Sequence, residues 1–338
     1  MVRSVSPSPE HDDDGAPPRP APRSLFARVP FAGALARFFA PDPPAAPELD
    51  PALEEKNRRR WQWMALLSIT LGYAFFYTTR LSLSVAKKPL LDEGLLSATE
   101  LGQIGSVMLL AYGIGRFTNG LLADRVNLRR FFATGLLCSA LANILVGMSS
   151  SFGAFLFFWT LNGWVQSFGA PTSGVVIVHW WPRDRRGTVY SLWGLGHNLG
   201  EGLTFIFTAL LVSAAGWRYG FIGPGLLCFV VALVLYRTNV DRPEGKGFAR
   251  SEHVHDDEHP DAKLTIAALQ REVLKNPFIW ALGLASGLMY VVRYALNNWG
   301  ILYLQIEKRY TLEEAGLVLS LFPLVGIVGT VLSGIVSD

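Results

Sequence analysis

The chain has 338 residues, 50% of them hydrophobic and 17% charged, with a formal net charge of +3. A soluble domain usually carries closer to a quarter charged residues, and here the apolar residues gather into long blocks. The composition therefore excludes an ordinary soluble domain, and nothing in it points to nucleic acid.

Residues 1–60 come first and stand apart. PSPEHDDDGAPPRPAPR and APDPPAAPELDP are rich in Pro and Ala with scattered charge, which reads as a disordered cytoplasmic tail. No basic stretch leads into an apolar one, so a cleaved signal peptide is not expected. SLFARVPFAGALARFFA at 24–40 is either an amphipathic element touching the membrane surface or loosely ordered tail.

Apolar blocks follow at 61–86, 101–122, 131–149, 153–181, 187–213, 217–236, 277–304 and 314–336. A bilayer core of about 30 Å takes about 20 apolar residues to cross as a helix. Lipid leaves backbone groups no outside partner, so the blocks are helices. Glycine-rich stretches such as GIGRFTNG at 113–120 suit close helix approach in lipid. Cys138 and Cys228 fall inside apolar blocks and read as small buried residues, not as a disulfide or metal pair.

KNRRR (56–60), DRVNLRR (124–130), PRDRRG (182–187) and YRTNVDRPEGKG (236–247) recur at alternate block ends. Basic residues mark the cytoplasmic side, so the N-terminus is expected inside, although KK at 87–88 and EKR at 307–309 run against the rule. The resulting divisions are a tail at 1–60, a six-helix half at 61–238, a cytoplasmic linker at 239–276 and two further helices at 277–338. His253, His255 and His259 in the linker match no strong metal-ligand spacing.

The chain after the linker echoes its start. GLLAD at 120–124 returns as GIVSD at 334–338, an offset of 214, and YTTR at 77–80 returns as YVVR at 290–293, an offset of 213. Arg80 thus has a counterpart in Arg293. Internal repeats of this kind mark secondary transporters, with the substrate site between the repeats. Six helices in the first copy and two in the second read as a C-terminally truncated piece of a twelve-helix, all-α polytopic membrane protein.

Polar residues within the blocks lie at helical spacing. Tyr73, Tyr77, Arg80, Ser84 and Lys87 share one face; Tyr190, Trp193, His197 and Glu201 share another; Ser286, Tyr290, Arg293 and Asn297 a third. Such stripes should converge on a watery cavity. An arginine at the bilayer centre costs about 2.5–3.5 kcal/mol on insertion scales, and two around one cavity repel. Glu201 is the one carboxylate available to offset them, so an anion should complete the site. A guanidinium fork fits phosphate or carboxylate. A phosphate ester, at about −1.5 to −2 near pH 7, matches two arginines better than a monocarboxylate does. Snorkelling to the interface is the other reading of Arg80, and its recurrence as Arg293 argues against that. His197 is either a buried histidine bonded to a neighbour or a substrate- or proton-linked group. Arg116 either snorkels or faces the cavity. Gly120, Asp124 and Arg125 of GLLADRVNLRR read as a gating and helix-end motif. No nucleophile–base pair, nucleotide loop or metal cluster supports a membrane enzyme, and no cofactor is implied.

These residues resemble a known family. GLLADRVNLRR is similar to the loop motif of the major facilitator superfamily. GYAFFYTTR (72–80), YGIGRFTNGLLADR (112–125), VHWWPRDRRG (178–187), SLWGLGHNLG (191–200) and YVVRYALNNWG (290–300) resemble, in that order, the organophosphate:phosphate antiporter family. The resemblance runs from about Trp61 to Asp338. It implies a major facilitator fold and a multi-pass, monomeric protein of the bacterial inner membrane. It implies exchange of a sugar or glycerol phosphate for inorganic phosphate by a rocker-switch motion, or a sensor of hexose phosphate that signals to a partner kinase. It places the phosphate grip on Arg80 and Arg293 and supporting roles on His197 and Arg116. Three positions depart from the family pattern: Leu81 follows the first arginine where lysine is frequent, Glu201 stands where glycine is common, and Asn298 replaces an aspartate. Glu201, one turn from His197, is expected to link transport to protons.

Overall fold

A computed structural model of the protein describes residues 30–47, 50–248 and 266–337. Regular structure among them is helical throughout: α1 (Pro30–Phe38), α2 (Pro51–Asp92), α3 (Ala98–Ala123), α4 (Leu128–Met148), α5 (Phe152–Gln166), α6 (Gly169–Trp180), α7 (Arg186–Ala215), α8 (Tyr219–Thr238), α9 (Ile266–Lys275), α10 (Pro277–Glu307) and α11 (Leu312–Ser337), with short 3-10 turns. The short α1 closes a first compact unit that ends at Phe38; everything from Phe39 onward forms the second. Residues 24–29 of the amphipathic stretch, and His253, His255 and His259, lie outside the described residues.

Helix ends follow ordinary capping chemistry. The Asp50 side chain accepts the amides of Ala52 and Leu53, with Pro51 in the first turn. α2 therefore starts well before the apolar block at 61. Ser97 and Glu100 form a reciprocal capping box on α3, and Asn276 with Pro277 starts α10.

The expectation of a structureless tail up to residue 60 is corrected over residues 39–47 and 50–60. The Asp42 amide donates to the Asp241 carboxylate at 2.8 Å, while Asn127 donates its side-chain amide to Asp42 at 2.9 Å and its backbone amide to Phe39 O at 2.7 Å. Asp241 also accepts the amide of Leu128 at the start of α4, and burial pushes its carboxyl above its ordinary value. Average composition marks the stretch as polar and Pro-rich; it does not reveal that Asp42 has partners more than eighty residues away.

Five helices, from α4, α7, α8, α10 and α11, are long and apolar enough to cross a membrane by length and composition. α2 and α3 are long enough but less apolar, because they carry Tyr73, Tyr77, Arg80, Tyr112 and Arg116. The expected single helix at 153–181 is broken at Ser167–Phe168 into α5 and α6. Around the break, Asn119 donates to Ser167 Oγ at 2.6 Å, and Gln166 turns into a buried polar network described below.

Helix α7 is wedged between α2 and α11, and the glycines of GLGHNLGEG explain how. A Cβ on Gly196 would lie 2.2 Å from Thr70 O, and one on Gly200 2.4 Å from Ala74 O, so this GxxxG face touches the α2 backbone. Gly194 and Gly202 face Thr330 and Leu324 of α11 instead. Gly200→Val is expected to push α2 from α7 at a cost of about 1–3 kcal/mol. The check is a lower thermal midpoint in detergent than that of Gly153→Ala, at a position with open space around it.

Candidate substrate-binding site

The stripes of α2 and α7 meet α10 and α11 around a cavity of about 590 Å³. Its lining runs from Arg80 and His197 to Arg186, Gly187, Ser333 and Gly334, at the end of the bundle where α7 begins and α11 finishes.

Arg80 is 8% exposed. Its Nε donates to Gln166 Oε1 at 2.9 Å, and its guanidinium lies 4.6 Å from the Tyr77 ring centroid and 4.4 Å from that of Tyr112. Gln166 is itself fixed: its Nε2 donates to Phe76 O, Thr79 Oγ1 and Ser139 Oγ at 2.9–3.0 Å. Asn143 and Asn162 donate to Thr79 O beside it. α2, α4 and α5 thus aim one guanidinium. Arg80 Nη2 is buried with no hydrogen-bond partner among the described residues. A residue held this way does not snorkel.

Arg293 is held differently. Its Nη2 donates to Glu201 Oε2 at 2.8 Å, and His197 Nε2 lies 3.3 Å from the same oxygen. The His197 ring stacks on Tyr77 with centroids 4.4 Å apart. Arg80 and Arg293 line a common recess of about 20 Å³, along with Tyr77, Tyr290, Tyr294 and Asn297. That is room for about one water, so a larger anion needs side chains to move.

The other expected site residues divide. Trp193, Tyr290, Tyr190 and Arg116 line the large cavity, and Asn297 is buried against the recess. Ser286 is exposed and lies outside both linings. Lys87 also leaves the stripe: it is 1% exposed, donates to Asn298 O at 2.7 Å and lies 3.6 Å from the Trp299 ring centroid, tying α2 to α10. Gly120, Asp124 and Arg125 stand away from the cavity; Asp124 is the C-cap of α3, and its carbonyl accepts from Arg242. Gln166, Tyr112, Tyr294 and Arg186 are additions that the sequence reading missed. The signal for Gln166 was present, since Asn162 and Gln166 are polar one turn apart within an apolar block. Among the described residues no cluster of His, Cys, Asp or Glu could hold a metal ion.

Residues 69–338 match the family model of the Major Facilitator Superfamily. The chain belongs to that superfamily. It is 35% identical over 305 residues to a probable hexose phosphate transport protein of Chlamydia muridarum, covering 86% of this chain and 67% of that protein. It is 36% identical over 308 residues to the membrane sensor protein UhpC of Escherichia coli, covering 89% and 70%. It is 32% identical over 316 residues to the glycerol-3-phosphate transporter of Bacillus subtilis, covering 90% and 71%. Within the superfamily these relatives assign it to the organophosphate:phosphate antiporter family, whose members are transporters and a sensor and not enzymes. The fold resembles an inward-facing, unoccupied structure of a bacterial homolog of the human lysosomal transporter Spinster, with a TM-score of 0.65 at 21% identity, covering 80% of this chain and 61% of that one. The chain thus spans about three fifths of that structure's length. With this fold and its apolar helices, it is an integral membrane protein.

If Gln166 orients Arg80, Gln166→Glu should keep the acceptor but neutralise the guanidinium. In calorimetric titration, any oxyanion that the wild type binds through Arg80 should then bind at least about tenfold more weakly, or about 1.4 kcal/mol. Gln166→Leu should instead lower the thermal midpoint, because it strands a buried N–H at about 1–3 kcal/mol.

Proposed function

We propose that this protein is a secondary transporter that exchanges a small organic phosphate ester for inorganic phosphate by alternating access. The observation that carries the reading is the convergence of Arg80 and Arg293, one from each repeat, on a single recess, with Arg80 Nη2 left without a hydrogen-bond partner among the described residues. Two guanidiniums that aromatic rings and one carboxylate only partly compensate suit a dianion. The named cargoes of the relatives, hexose phosphate and glycerol-3-phosphate, share only a phosphate on a small polar skeleton. Arg80 and Arg293 hold the phosphate in this reading. His197, Arg116, Tyr77, Tyr290, Trp193 and Asn297 surround the remainder of the substrate.

The cavity runs out at the end of α7 that carries Arg185 and Arg186, which the positive-inside rule assigns to the cytoplasm. Towards the opposite end, Lys87 on Asn298 and Trp299 draws α2 and α10 together. We read this as an inward-open state in the bacterial inner membrane, with the N-terminus cytoplasmic. A second reading is a sensor that binds the ester and signals to a partner kinase without flux. The identity to UhpC, 36% beside 35% to the hexose phosphate transport protein, favours it as an alternative.

The deciding experiment reconstitutes the full-length protein in phosphate-loaded liposomes and follows labelled phosphate exchanging against glycerol-3-phosphate and glucose-6-phosphate. Exchange is expected, and Arg80→Ala and Arg293→Ala should each reduce it at least about a hundredfold, or about 2.7 kcal/mol. Ester binding without exchange would move the assignment to the sensor. Neither binding nor exchange would overturn both readings.

A further inference from the structure

Glu201 puts a negative charge beside the arginines that should receive one from substrate. Its side chain is 0% exposed. Oε2 takes both Arg293 Nη2 at 2.8 Å and His197 Nε2 at 3.3 Å, while Oε1 is buried with no hydrogen-bond partner among the described residues. His197 lines the open cavity, and Glu201 does not. The imidazole therefore stands between cavity water and the carboxylate.

The charged and titratable groups around this carboxylate can be named helix by helix. α2 presents Tyr77 and Arg80. α10 presents Arg293, with Tyr290 and Tyr294 along the same recess. α7 itself supplies His197. α11, on the other flank of α7, brings Ser320, Leu324 and Thr330 and no charge. Glu201 is thus the acid in a cluster of two guanidiniums and an imidazole.

We infer that Glu201 is a built-in counter-anion of Arg293, which a phosphate ester displaces, and that its displacement takes up one proton through His197. The inference rests on the ester-binding reading above and adds a proton to its binding step. A dianion that grips Arg293 removes the one strong donor holding the carboxylate, and two anions on a single guanidinium repel. A buried carboxylate stripped of its partner is neutralised by taking a proton. Cavity water protonates His197 at Nδ1, and the proton on Nε2 passes to Glu201 Oε2, forming a carboxyl O–H and leaving a neutral imidazole with its proton on Nδ1. It returns by the same route when the ester leaves and Arg293 closes on Glu201 again. Ester and proton bind together, so by linkage each weakens without the other. For one proton, the ester Kd rises about tenfold per pH unit.

The test is proton uptake on binding, read with a pH indicator in weak buffer at about pH 8, where the second ionisation of a phosphate ester, near 6, is complete. Purified protein in detergent is titrated with glycerol-3-phosphate and with glucose-6-phosphate. About one proton taken up per ester bound is expected. Glu201→Gln is expected to bind at least as tightly, with no uptake and a Kd independent of pH above about 7.5. Wild-type binding without uptake would overturn the inference and leave the ester-binding reading intact. So would equal uptake by wild type and Glu201→Gln. No ester binding by wild type would overturn that reading and the inference with it. Should Glu201→Gln fail to fold, the wild-type stoichiometry alone decides.

Discussion

A guanidinium kept away from water must be compensated locally, and that requirement shapes much of this molecule. The two arginines meet it in opposite ways. Arg80 rests on a neutral amide and two aromatic rings, so its charge is oriented but not cancelled. Arg293 rests on a carboxylate, so its charge is largely cancelled. The neutral solution needs more protein: Gln166 orients Arg80 only because Phe76, Thr79 and Ser139 fix Gln166. Gln166 is also the last residue of α5. The charged solution needs fewer residues and is the easier one to undo.

The packing of α7 links these contacts to motion. One of its glycine faces lies on the α2 backbone and the other on α11. Asn198 adds a 2.9 Å hydrogen bond to Thr330. The helix that carries His197 and Glu201 therefore touches elements of both repeats. Close glycine contact leaves little slack, and packed interfaces shift between discrete arrangements and do not stretch. A change at Glu201 is well placed to be felt across the boundary between repeats.

Much of this was legible in the sequence because membrane burial makes polar residues conspicuous. A stripe of Tyr73, Tyr77 and Arg80 in an apolar block has few explanations, and the echo of YTTR in YVVR supplied the partner arginine. What stayed hidden depended on tertiary partners. Lys87 continues the stripe by spacing, yet it turns out of the cavity to meet Asn298 and Trp299. The stretch at residues 39–47 reads as tail because its one aspartate, Asp42, acts against Asn127, Arg129, Arg130 and the Asp241 carboxylate, all far along the chain. The expectation that Glu201 offsets both arginines was too even-handed: it reaches Arg293 and His197, and no bond to Arg80 is seen.

The departures from the family pattern acquire a charge balance once they are located. Leu81 and Asn298 both line the recess that holds the two arginines. Against the pattern that the resemblance implies, a basic and an acidic position are both neutral here, side by side, and the two differences leave the local sum unaltered. What remains is Glu201. With its carboxylate ionised, Arg80 and Arg293 leave the recess about one positive charge in excess; with it protonated, about two. A phosphate ester above its second ionisation carries about two negative charges, which match the protonated site and not the ionised one. A monoanion would match the ionised site without any proton. On the reading proposed above, the protonation state of Glu201 selects which charge of ligand the recess accepts, and the arginines serve to grip it.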